Sequence, residues 1–150
     1  MAFFISRKAF LNSSETEIIL DAVRNGEKNT SGEIRLYIES RCRYMDPGIR
    51  AQEIFVQLQM HQTIDRNGVL IYIAYHDRDF ALIGDKGIFE KTPTEFWRKE
   101  SLQLSQHFSQ QQYVQGICKC VDAVAQLLKT HFPTHGETKN ELPDEIIFGK

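Results

Sequence analysis

The sequence predicts an α/β fold around a mixed sheet, and three stretches carry that expectation. EIRLYIE, Glu33 to Glu39, alternates apolar with charged residues, the period of a strand covered on one face. Asp46 to about His61 carries Ile54, Phe55 and Leu58 as a helical stripe, and Val69 to Tyr75 is almost wholly apolar, as a strand covered on both faces should be. Strand, helix and strand in that order make a right-handed crossover that leaves the two strands parallel.

The other elements follow from their own signals. Ser14, with Glu17 three residues on, has capping-box spacing, and Ile18, Ile19, Ala22 and Val23 recur on one face until Gly26 offers a stop. Asp46 before Pro47 reads as N-cap and first helical residue. His76-Asp77-Arg78-Asp79 is a polar turn, after which Phe80 to Gly84 returns antiparallel and makes the sheet mixed. Thr92, Pro93 and Glu95 predict another capped helix, carrying Phe96, Trp97, Leu104 and Phe108. A last helix, about Val114 to His131, buries Val114, Ile117, Val121, Val124 and Leu128. Beyond Pro133 the chain is polar without a clear period. The reading is one domain over residues 1–150, with a core over about 10–132 and a tail over about 133–150.

Composition narrows the function. With 41% hydrophobic and 25% charged residues and a formal net charge of −2, the chain lacks the basic footprint of a nucleic-acid binder. Its longest apolar run, Val69 to Ala74, falls far short of the roughly 20 residues that span a bilayer. MAFFISRKAF has no sustained apolar h-region, so a cytoplasmic protein is expected. Cys42, Cys118 and Cys120 are an odd set with no zinc spacing and read as structural thiols. His61, His76, His107, His131 and His135 form no metal pair at helical spacing. The motifs GxSxG, HExxH, GxGxxG and the P-loop are absent, so no catalytic residue is assigned and no nucleotide is expected. Asp77-Arg78-Asp79 after an apolar strand is similar to the paired aspartates of haloacid dehalogenase-type phosphatases. Ala81, however, stands where that pattern has Thr or Val, and no helix follows to receive phosphate.

Topology then places the charges. The starts of two parallel strands and the end of the antiparallel third lie at one edge of a sheet, so Glu33, Arg66, Asn67 and Asp85 should gather there. The HDRD turn goes to the opposite edge, beside Ser40 to Asp46. Converging carboxylates and amide oxygens suit a hard cation, calcium or magnesium. Two acids are too few for a calcium ion that takes about six to eight oxygens, and the acidic tail with Glu137, Asn140, Glu141, Asp144 and Glu145 is the natural further donor.

SGEIRLYIE, RNGVLIYIAYHDRDFALIGDKGI, the pair Phe96-Trp97, YVQGI and NELPDEI together resemble the TPM domain family, in its bacterial branch where the domain stands alone, over about residues 10 to 147. The resemblance implies an α/β/α sandwich around a mixed sheet of about four strands. It also implies relatives that include a thylakoid lumen protein with acid phosphatase activity and bacterial forms that bind divalent metal at loops. Carried over residue by residue, SGE supplies Glu33, GDKG supplies Asp85, and NELPDE supplies Asn140, Glu141, Asp144 and Glu145 as metal ligands. Glu137 stands where the family pattern leads one to expect aspartate.

The resulting expectation is a non-catalytic domain that binds a calcium-type cation, which orders the loops and C-terminal tail and so alters the surface shown to a protein partner. The alternative is a weak metal-dependent acid phosphatase with Arg66 or Lys86 steadying phosphate. A third reading is an interaction module whose acids keep it soluble.

Overall fold

Helix α1, Ser13–Glu27, begins two residues before the position its sequence signature suggests. The segment NSSETE offers overlapping capping boxes, and the computed structural model, which describes residues 10–42, 46–134 and 146–149, uses the first of them. Asn12 Oδ1 accepts from the Glu15 amide at 2.8 Å and Glu15 returns a bond to the Asn12 amide at 3.0 Å. Ile19 and Val23 turn fully inward and Ile18 is half exposed.

Strand β1, Glu33–Glu39, leads into helix α2, Pro47–Gln57, whose N-cap is Asp46 with Pro47 in the first turn, as expected. Helix α2 stops at Gln57, short of His61, because Gln59 turns left-handed at φ 55. Strand β2, Gly68–Ala74, pairs parallel with β1 from Glu33 opposite Gly68 to Glu39 opposite Ala74. Strand β3, Asp79–Gly84, returns antiparallel across the hairpin at Arg78, itself left-handed at φ 56.

Next comes an element the sequence reading omits, the single turn α3, Lys86–Phe89, capped by Asp85. It displaces the expected Thr92 cap: Thr92 Oγ1 donates back to the Ile88 carbonyl at 2.6 Å, and Pro93 becomes the N-cap of α4, Thr94–Ser109. Helix α5, Tyr113–His131, follows, and β4, Ile146–Phe148, completes the sheet beside β1, pairing parallel from Leu36 opposite Ile146 to Ile38 opposite Phe148. The strand order is β3-β2-β1-β4. The IIF residues that the sequence groups with the tail are therefore part of the sheet.

Two apolar layers flank it. Ile34, Leu36, Ile38, Val69, Ile71 and Ile73 face α1, α4 and α5, whereas Leu70, Tyr72 and Ala74 face α2. The mixed sheet is thus sandwiched between helices, the α/β arrangement the sequence implies. The charged face of β1 is not open to water: Glu33, Arg35 and Glu39 are 2%, 7% and 5% exposed. Positive φ occurs at five described non-glycine residues, Asn29, Gln59, Arg66, Arg78 and Gln111. Among the described residues no helix is long and apolar enough to cross a membrane.

Candidate functional site

The starting ends of β1 and β2 and the finish of β3 form one rim. Glu33 pairs with Gly68, and the Asp85 amide extends the ladder by donating to the Gly68 carbonyl at 2.9 Å, so the two acids stand on either side of Gly68. Both are buried. The Asn67 side chain belongs to the same rim and donates Nδ2 to Ser31 Oγ at 3.0 Å, while the Ser31 hydroxyl donates to Asp65 at 3.0 Å.

Asp85 is fully engaged. Its Oδ2 accepts Arg66 Nε at 2.7 Å and its Oδ1 accepts Arg66 Nη2 at 2.9 Å, a fork-on-fork pair, and Oδ1 also accepts the Lys86 amide at 2.8 Å. Arg66 adopts φ 52, and that backbone turn carries its guanidinium over Asp85. The pairing raises the Arg66 pKa through the hydrogen bond first. Gly87 then seats α3 directly on this loop: its amide donates to the Arg66 carbonyl at 2.8 Å, and a Cβ there would lie 2.1 Å from the Asp65 carbonyl oxygen. The GDKG motif is thus a locked corner as well as a source of acid. Lys86 is exposed.

Asn140, Glu141, Asp144, Glu145 and Glu137 lie outside the described residues. The described residues on either side of them approach β1: the Thr134 amide donates to the Asn29 carbonyl at 2.9 Å, four residues ahead of Glu33, and β4 begins opposite Leu36, parallel to β1. Among the described residues no three His, Cys, Asp or Glu side chains stand close enough to form a ligand set by themselves.

The opposite rim is more structured than a turn in water. Asp77 Oδ2 accepts the Cys42 amide at 2.9 Å and Oδ1 meets Arg41 at 3.3 Å, which ties the hairpin to the end of β1. Burial, then the charges of Asp77 and Asp46, push the Asp79 carboxyl upward. Behind this rim lies a buried network absent from the sequence reading. Glu39 accepts Tyr72 Oη at 2.5 Å and a two-point contact from Arg50 at 2.9 and 3.1 Å, and Arg50 also covers the Tyr37 ring. Burial chiefly, and the bond to Glu39, raise the Tyr72 hydroxyl pKa. Its sequence signal was the polar face of β1, read there as solvated.

Comparison with known proteins follows from this geometry. The TPM domain model matches residues 5–127. The BA42 protein of the psychrophilic bacterium Bizionia argentinensis is similar in structure, with a TM-score of 0.87, 36% identity, and coverage of 96% of this chain and 99% of that one. An N-terminal domain from Corynebacterium glutamicum has a TM-score of 0.65 at 12% identity, over 90% of this chain and 84% of that one. One from P. gingivalis has 0.69 at 16%, over 86% and 85%. These last two show likeness of fold alone. No curated protein matches.

Proposed function

We propose, from the premise that the chain belongs to the TPM domain family, that it is a non-catalytic domain binding a divalent cation of the calcium type. The cation orders the loops and the C-terminal segment and thereby changes the surface offered to a protein partner. One observation supports this reading: Glu33 and Asp85 flank Gly68 at one rim of the sheet, and residues 135–145 join Thr134, which bonds to Asn29 ahead of β1, to Ile146, which stands opposite Leu36. That segment brings Asn140, Glu141, Asp144 and Glu145, the oxygen donors that two carboxylates need to satisfy calcium.

Arg66 neutralises Asp85 through its two-point contact. A cation at Asp85 must displace the guanidinium, whose side chain is 42% exposed and has solvent to swing into. Binding is therefore a counter-ion exchange coupled to ordering of a segment, which predicts a modest affinity that rises when Arg66 is removed.

Calorimetric titration with calcium tests this. Loss of the binding heat in both Asp85→Ala and Glu141→Ala supports the site; unchanged heats in both reject it. Turnover of p-nitrophenyl phosphate that disappears in Asp85→Ala would instead favour the metal-dependent acid phosphatase, with Lys86 as the exposed cation beside the rim.

A further inference from the structure

We infer that the side-chain carbonyl of Asn67 is a direct ligand of the cation, oriented by a relay through Ser31 and Asp65. The inference rests on the cation reading above, which gives ligand roles to Glu33 and Asp85 but none to Asn67. Asn67 is fully buried. Its backbone amide donates to Thr63 Oγ1 at 3.4 Å, its backbone carbonyl accepts from the Glu33 amide at 3.4 Å, and Nδ2 donates to Ser31 Oγ at 3.0 Å. Oδ1 alone has no partner among the described residues. A buried acceptor without a partner is costly, so this oxygen calls for an ion or a water.

The amide can face only one way. Ser31 has a single hydroxyl proton and directs it to Asp65 Oδ2 at 3.0 Å, a carboxylate oxygen that accepts and does not donate. Ser31 therefore accepts from Asn67, which fixes Nδ2 toward Ser31 and turns the oxygen away from it. Asp65, Ser31 and Asn67 thus form the kind of outer support that orients metal ligands. The neighbours of the oxygen decide what it lacks. Asn67 adjoins Gly68, which pairs with Glu33 on one side and accepts the Asp85 amide on the other. Glu33, Asp65 and Asp85 make this rim rich in acceptors, and a further acceptor buried among them is satisfied by a positive centre. The one guanidinium here, Arg66, is turned onto Asp85 through Nε and Nη2. A neutral amide oxygen is an ordinary ligand for a calcium-type cation, and it supplies coordination without adding to the repulsion between Glu33 and Asp85.

Terbium, a hard cation that takes the same oxygen ligands as calcium, is the probe, added to the full-length chain. Its luminescence decay in H2O against D2O counts the waters on the bound ion. Trp97, the only tryptophan, serves as antenna, because it packs on the residue before Asp85: a Cβ on Gly84 would lie 2.5 Å from Trp97 Cη2. In the parent, sensitised emission should be displaced by calcium and lost in Asp85→Ala. Ser31→Ala, which removes the support but keeps the carbonyl, should weaken terbium binding roughly tenfold with an unchanged water count. Asn67→Ala should weaken it further and add about one water to the ion, in the position Oδ1 leaves. An unchanged count in Asn67→Ala, with emission still dependent on Asp85, overturns the inference and leaves the cation reading standing, since Oδ1 is then held by a water. A parent that binds no terbium, or emission indifferent to Asp85→Ala, overturns both. If circular dichroism shows that Asn67→Ala does not fold, Asn67→Asp decides. An oxygen that touches the ion becomes a charged one in that variant, so calcium should raise its melting temperature more than that of the parent, and an equal or smaller rise overturns the inference.

Discussion

Gly87→Ala separates the structural duty of the GDKG motif from any role in binding. The new methyl would sit 2.1 Å from the Asp65 carbonyl oxygen and 2.6 Å from that of Arg66, and both obstacles are backbone. Relief requires more than about 1 Å of movement between α3 and the loop before β2, since carbon and oxygen do not approach much below about 3.3 Å. That movement breaks the 2.8 Å bond from the Gly87 amide to Arg66 and drags the guanidinium off Asp85. Overpacking costs roughly 1–3 kcal/mol and a net backbone hydrogen bond about 1 kcal/mol, together about 2–4 kcal/mol. For a domain of this size each kcal/mol lowers Tm by about 2–4 °C, so thermal unfolding by circular dichroism should fall by roughly 5–15 °C. Gly48→Ala is the control, because its added methyl meets only the Asp46 side chain at 2.9 Å and a helical alanine gains back up to about 1 kcal/mol. A Gly87→Ala Tm within 2 °C of the parent, or an equal loss in Gly48→Ala, would refute the locked corner.

Tyr72→Phe removes a fully buried donor to Glu39 and should cost about 2 kcal/mol in urea unfolding with an unchanged m-value, whereas Arg50→Lys, which loses the two-point contact, should cost less. Glu100 on α4 is 6% exposed and burial pushes its carboxyl pKa up. A raised carboxyl contributes stability below its unfolded pKa of about 4 and loses it as pH climbs through the folded value, so Glu100→Gln should be more stable than the parent at pH 7 and equal to it below about pH 4. Asp79→Asn follows the same sign, its advantage at pH 7 coming from burial and from relief of the charges on Asp77 and Asp46. Added calcium should leave that advantage unchanged, since the proposed cation site is at the opposite rim beside Asp85.

The crossover, the hairpin and the gathering of Glu33 with Asp85 were legible because each depends on a strong local period or on topology. Val69 to Ala74 has no alternative to a central strand, and strand direction then dictates which ends meet. What escaped depended on partners distant in the chain. The charged face of β1 read as solvated, yet Glu39 finds Tyr72 and Arg50 and goes under. NSSETE offers two capping boxes of equal local merit, and the chain takes the earlier. The residues KGIF are too few to show a helical period, and their existence reassigns Thr92 and Pro93. Asp85 was legible as an acid at a rim but not as the partner of Arg66, since a left-handed arginine leaves no pattern in the sequence.

Those five left-handed residues each stand between two elements, after α1, α2 and α4, before β2 and in the hairpin. A side chain in that conformation carries a penalty of about 1 kcal/mol that glycine would not incur. The molecule therefore concentrates its conformational expense at its joints, leaving helices and strands relaxed. Heat tolerance is accordingly adjustable there without altering the core: glycine in place of Gln59 or Gln111 relaxes one joint and touches neither rim.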